Sequence, residues 1–352
     1  YVTAKKSGDI KANNPYFSDN FKGFRGDFEW KDNDTFPIYL SDGKSIAIPK
    51  GVKRQIQRLP KKVLKEIDSD KGVAIEKCLL MVSYFSHTTF MEDDEKWKSL
   101  SSQLLHQQFK RGKDNTFVYI KVLDALKYTT SSTSPIIEVK SNEDGNESYQ
   151  EGEISKQYRL GDKFKKCNLT TYDLATQACL ENRIKYHYRK LNDAYANPIA
   201  RNLINLYPNI ILPSEAEIDA HSKKLIKKGY SSKKGKLLTR LNNKSKIYYS
   251  NYKNRSFVED NIKLFKYLVS RGYLIPTVGN YKSGGRVVDS FNLMPSWIRT
   301  LVKIQDENIV ELDYRALHPN IAMSLYGGRV QYLTHELIAS EMDIELRKVK
   351  IE

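Results

Sequence analysis

The sequence predicts an α+β protein of several domains, and three observations carry that expectation. Between residues 72 and 168, three stretches with apolar residues at helical spacing give way to two short alternating stretches. From 169 to 280 helical patterns continue and then acquire a dense block of Lys and Arg. From 281 to 352, a β-favouring run at 308–313 passes through a polar link into another helical pattern. A chain of 352 residues is long enough to build two or three cores, and residues 1–71 form a mixed segment ahead of them.

Composition narrows the function classes. Forty per cent apolar and 11% aromatic residues favour a folded protein over a disordered one. The net charge of +16 points to a polyanionic partner, nucleic acid first, because an excess of Lys and Arg attracts phosphate whatever the fold; a solubilising charge excess is the alternative. Cys78, Cys167 and Cys179 lie far apart without metal-type spacing, which fits a reduced intracellular setting, and the six histidines form no zinc pair. No apolar run approaches the roughly 20 residues that span a bilayer, and there is no signal peptide. The chain starts at Tyr1 and stops at Glu352 in mid-pattern, so it reads as a fragment of a longer protein.

Taken in order, the first element is a hairpin expected from the β-favouring runs 38–40 and 46–48 around Ser41-Asp42-Gly43. Residues 52–68 are basic and helical, with Pro60 breaking the pattern or starting its second half. Helices are expected at 75–85, at 97–110 with Leu100, Leu104 and Phe109 on one face, and at 117–128 with Val118, Val122, Leu123 and Leu126 on one face. Strands at 135–139 and 155–160 follow, joined by a polar turn. Three helices and a hairpin describe a winged helix, although many domains of that composition bind nothing. The acidic turn residues Glu143, Asp144 and Glu147 would repel phosphate.

Thr170, Thr171 and Asp173 read as an N-cap region for a helix carrying Ile184, Tyr188 and Leu191. Between His221 and Arg255 there are twelve Lys or Arg residues and no Asp or Glu, among them Lys233, Lys234, Lys236, Arg240, Lys244 and Lys246. Tyr230, Tyr248, Tyr249 and Tyr252 are interleaved with them. Basic side chains track a phosphate backbone and aromatic faces stack on bases, which makes this block the candidate nucleic-acid surface; a solvated basic loop is the alternative. A helix over 257–273 follows, with Val258, Ile262, Phe265 and Leu268 on its buried face.

Next come Ser283-Gly284-Gly285-Arg286, Asn292-Leu293-Met294-Pro295 and Arg299. Paired glycines let a backbone approach closely, and the arginines are forked donors suited to phosphate. In the run 308–313, residues two apart share a face, so Glu311 and Asp313 point the same way at a strand's end. Pro319 suits the first turn of the helix that follows, and Gly327-Gly328 supply its stop.

These segments resemble the lead-in and motif A of family A DNA polymerases, where a Gly-Arg, an Asn-Leu and a Pro-Arg precede a strand ending in Asp-Tyr. Closer still, GGR, NLMPSWIR and VELDYRALHPNIA are similar to polymerase-like proteins of phages and mobile elements. The likeness spans residues 284–350. It implies the start of a polymerase palm and fingers at 281–352, a thumb-like helical basic middle, and a bacterial host cytoplasm as location. It implies that Asp313 and the backbone carbonyl of Tyr314 hold magnesium, two Mg2+ ions acting in the whole protein. It also implies that His318, Arg347 and Lys350 bind the incoming nucleoside triphosphate, and that Arg286, Asn292 and Arg299 contact the DNA primer-template. His318 stands where family A carries a sugar-gating glutamate, and the sequence around it resembles family B motif A instead. Arg347 and Lys350 are three apart, against four in family A, and Asp343 is placed to cap their helix. The second catalytic aspartate, in motif C, would lie beyond Glu352.

The expected activity is therefore template-directed nucleotidyl transfer. A non-enzymatic replication initiator, built on the winged helix and the basic block with a palm-like remnant, is the competing class.

Overall fold

A computed structural model describes residues 45–91, 96–109, 117–130, 134–141, 156–232, 234–241, 254–269, 276–279, 286–310, 317–327 and 332–345. It is of mixed α+β class, helices joined by small two- and three-stranded sheets. The chain divides into two compact units, Tyr1–Glu307 and Asn308–Glu352.

The first strand, β1 (Ser45–Pro49), buries four of its five residues. The hairpin expected around residues 41–43 lies outside the described residues. The described partner of β1 is instead a distant strand, β5, with Ile46 opposite Tyr172 and Ile48 opposite Thr170. Two short helices follow, α1 (Val52–Gln57) and α2 (Lys61–Ile67), with Pro60 at the N-cap of the second. Proline fits there because its φ is already near the helical value and the missing N–H would have had no intrahelical partner. Helix α3 (Lys71–Ser83) is capped by Asp70, whose carboxylate accepts from the Val73 amide at 2.9 Å.

Beyond α3 come β2 (Lys98–Ser99), α4 (Ser102–Phe109), α5 (Val118–Lys127), β3 (Ile137–Val139) and β4 (Gln157–Leu160). The helix expected from residue 97 starts at Ser102, since Lys98 and Ser99 are used as an edge strand and Ser101 Oγ accepts from the Leu104 amide. The three strands form one sheet in the order β2-β4-β3, with both pairings antiparallel. Gly161, just past β4, lies against the Pro135 carbonyl oxygen so closely that a Cβ there would sit 2.3 Å from it. Strand β5 (Leu169–Asp173) then returns to β1. Thr170, Thr171 and Asp173 are thus strand residues, and Thr176 is the residue that precedes helix α6 (Gln177–Ala196). Paired β-branched threonines won over the capping tendency of the same residues.

These elements share a single hydrophobic core running from Ile46 to Leu180, with Leu79, Met81, Phe85, Val122 and Ile137 among its fully buried members. One carboxylate enters it. Glu76 of α3 is 2% exposed and accepts from the Tyr172 hydroxyl at 2.8 Å, the Ala175 amide at 2.7 Å, the Thr176 amide at 2.9 Å and the Thr176 hydroxyl. A buried carboxylate survives only with such a set of donors. Here it ties α3 to the entry of α6.

The rest of the unit is built from shorter pieces. Helix α7 (Pro198–Leu206) is capped by Asn197, strand β6 (Ile210–Ile211) follows, and α8 (Glu215–Lys227) opens with a capping box between Ser214 and Glu217. Strands β7 (Leu237–Thr239) and β8 (Arg255–Phe257) pair in parallel ahead of α9 (Val258–Val269), which buries Val258, Phe265 and Leu268. Then come β9 (Thr277–Val278), β10 (Val287–Val288), α10 (Ser290–Leu293) and α11 (Ser296–Arg299). Strand β11 (Lys303–Ile304) lies between β6 and the last strand of the unit, β12 (Glu307–Asn308). Gln305 and Asp306 turn the chain between β11 and β12 with φ of 50° and 66°, the hand that matches strand twist.

In the second unit, α12 (Leu317–Leu325) stops at Gly327, where φ is 67°. The Asn320 side chain bonds both the amide and the carbonyl of Leu333 at 2.8 Å, pinning α12 to the segment that enters α13 (His335–Glu341). Of the strand expected at 308–313, Asn308 belongs to β12, residues 309 and 310 have no regular structure, and the remainder lies outside the described residues. Asp343 follows α13 with φ of 50° and closes that helix. The helix it is expected to cap lies outside the described residues. Among the described residues no helix is long and apolar enough to cross a membrane.

Candidate nucleic-acid interface

Two of the expected site residues, Asn292 and Arg299, meet at the short turn after β10. Asp289, only 2% exposed, caps α10 by accepting from the Asn292 amide at 2.8 Å. Burial pushes its carboxyl above the usual range, against the Asn292 amide, the Tyr207 hydroxyl and the Arg299 charge, which favour the ion. Asn292 donates from its side chain to the Val287 carbonyl at 3.1 Å, and its own carbonyl accepts from Arg299 at 3.3 Å. The Arg299 guanidinium also lies 5.7 Å from the centre of the Phe291 ring. Asn292 and Arg299 are therefore in contact, while Arg286, exposed ahead of β10, accepts the Gly279 amide through its backbone carbonyl at 2.8 Å.

The basic block packs against this turn. His221 of α8 stacks on Trp297 of α11, ring centres 6.3 Å apart and planes 20° apart, and the Tyr230 hydroxyl lies 3.1 Å from that of Ser296. A segment recognised by charge and a segment recognised by motif thus form one surface. Within it, Asp219 bonds Lys223 at 2.8 Å and also Arg240, which in turn reaches Ser222 Oγ at 2.8 Å. The Lys223 and Arg240 bonds hold the Asp219 carboxyl below its ordinary range. Arg240 thereby fixes the strand entry to α8. The Lys236 amide donates to Ser232 Oγ, and Lys234 lies exposed in the adjoining turn closed at Gly235. Lys224, Lys227 and Lys228 are exposed at the C-terminal end of α8, where the helix dipole favours cations, and make no ion pair among the described residues. Partial burial, then the charges of Lys224 and Lys228, lower the His221 pKa.

Asp313, Tyr314, Arg347, Lys350, Lys233, Lys244 and Lys246 lie outside the described residues, and so do Gly284 and Gly285. His318 falls in the first turn of α12, and its side chain is likewise outside them. Among the described residues no group of three or more His, Cys, Asp or Glu is placed to hold a metal ion; the expected ligand Asp313 is not one of those residues. Sequence reasoning missed Asp289, Asp219 and Trp297. A signal existed for the first, a capping residue directly ahead of Ser290-Phe291-Asn292-Leu293, but nothing local marks Trp297 as the partner of His221.

No family model, curated protein or solved structure matches this chain.

Proposed function

We propose that this chain carries a nucleic-acid-binding region and the motif A segment of the catalytic site of a template-directed nucleotidyltransferase of phage or mobile-element type. The observation that carries the reading is the ordered sequence set Gly285-Arg286, Asn292-Leu293, Pro295, Arg299 and then Asp313-Tyr314. The packing of the basic block on Trp297 and Ser296 supports it, because it puts phosphate-seeking cations next to the motif segment that would face primer or template. In this reading Asp313 and the Tyr314 carbonyl hold magnesium, which supplies charge neutralisation for phosphoryl transfer when bound. Arg347, Lys350 and His318 hold the nucleoside triphosphate, and Arg286 with Lys234 tracks the backbone. Arg299 acts through Asn292, setting the turn that presents this edge.

Primer extension with magnesium tests the reading. The full-length protein is expected to extend a primed template and its Asp313→Ala variant to lose at least about 100-fold in rate. Equal extension by both removes Asp313 from the mechanism.

The second reading, a DNA-binding initiator without catalysis, is favoured by one observation. Helices α3, α4 and α5 and a three-stranded sheet in the order β2-β4-β3 are the kinds of element from which a winged helix is built, and they support this reading. Tight DNA binding by the full-length protein with no extension under any metal condition would select it.

A further inference from the structure

Helix α6 carries a second basic cluster, outside the block at 221–255. Its Tyr186 ring is ringed by three cations: Lys190 Nζ at 5.0 Å, the Arg189 guanidinium at 5.6 Å and that of Arg183 at 5.9 Å from the ring centre. Arg183 reaches the Tyr84 hydroxyl, yet its buried Nε has no hydrogen-bond partner. Arg183 and Tyr186 line a small cleft with Leu80, Gln108, Phe109 and Asn182.

More positive charge faces this helix from β2. Lys98 Nζ donates to the Tyr84 carbonyl at 3.3 Å and lies 3.4 Å from Nε2 and 3.5 Å from Nδ1 of His87. Burial and then the Lys190 charge bring the Lys98 amine down to about 8. Burial and then Lys98 bring His87 down to about 4. Contact with the end of α3 and with the neutral His87 ring accounts for the position of Lys98, but it leaves the Lys190 charge beside it unanswered. The acids of α6 do not relieve it. Glu181 is taken by Lys185 and Gln177, and Asp193 makes no ion pair among the described residues.

We propose that Arg183, Tyr186, Arg189 and Lys190 of α6, with Lys98 opposite them, form a binding site for the phosphodiester backbone of nucleic acid. The four α6 residues lie within a span of seven helical rises, about 10 Å of helix, which is roughly three phosphate steps along one strand and too long for a single small anion. The exposed Arg189 and Lys190 are forked and point donors of the kind phosphate oxygens accept. The Tyr186 face, already held between cations, is a surface for a sugar or a base.

The site rests on the nucleic-acid partner assigned above but not on catalysis. Its test is fluorescence anisotropy of a labelled DNA duplex with the whole chain over a range of salt. Arg189→Gln with Lys190→Gln, both exposed, is compared with Lys61→Gln and Lys62→Gln, an equal charge change on the exposed side of α2. The α6 pair is expected to reduce the slope of log K against log salt by about 1.8, two phosphate contacts at ~0.9 each, and the α2 pair to leave it unchanged. An equal reduction by both pairs, no reduction by the α6 pair, or binding of anionic lipid vesicles in place of the duplex overturns the site. Failure of primer extension with the slope change intact rejects the catalytic reading and keeps this one. Extension with no slope change does the reverse.

Discussion

The two halves of the larger unit treat charge in opposite ways. From β1 to the start of α6, the acids that enter the interior are matched: Glu76 has four donors, and Asp68 lies 2.9 Å from Lys77 with both side chains largely covered. From α8 to α11, matching stops early. Asp219 serves two cations, and Lys224, Lys227 and Lys228 are left to solvent. A matched interior charge specifies which elements meet, whereas an unmatched surface cation lowers nothing in the fold and gains only when an anion arrives. The core of the first half is thus held by its own charge pairs, while the second half leaves a row of cations exposed.

That contrast can be broken most severely at Glu76. Glu76→Ala strands two amides and a tyrosine hydroxyl in a covered site, and a loss of about 3 kcal/mol is expected in urea unfolding. A loss below about 1 kcal/mol would mean that water replaces the carboxylate and that the half is less closed than described. Gly161→Ala comes next, because its Cβ would meet a backbone carbonyl oxygen that cannot rotate away. A cost of roughly 2 kcal/mol is expected, read as a lower thermal midpoint. A neutral result would show that the β4 end can shift.

His87 sharpens the comparison through pH. Its folded pKa, about 4, lies below the ordinary 6.5, so the unfolded chain binds the extra proton between those values and stability falls as pH drops through that window. The expected loss is on the order of 2 kcal/mol by pH 4, and His87→Gln should remove that part of the slope. An unchanged slope would place the acid sensitivity elsewhere. The smallest effect belongs to the second half. Asp306→Gly relieves a left-handed turn residue and is expected to add about 0.5 kcal/mol, measured by unfolding, with no change in DNA affinity. A changed affinity would mean that the β11-β12 turn belongs to the interface.

The sequence by itself determined the helices and the charge. Buried positions such as Val118, Val122 and Leu126 repeat with the helical period, and the block from His221 to Arg255 needs no fold to be seen. It also marked Pro60 as a break or a helix start, which the structure resolves as a start, and Gly327 as a helix stop, since those residues act through their own backbone. Tertiary structure alone decided the pairing of β1 with β5, the use of Lys98 and Ser99 as a strand, and the stacking of His221 on Trp297. The physical reason is range. A period or a cap is written within one turn of the chain, but a two-residue strand carries too little pattern to name its partner. A charge next to an aromatic ring acquires meaning only when packing brings distant segments within a few ångströms.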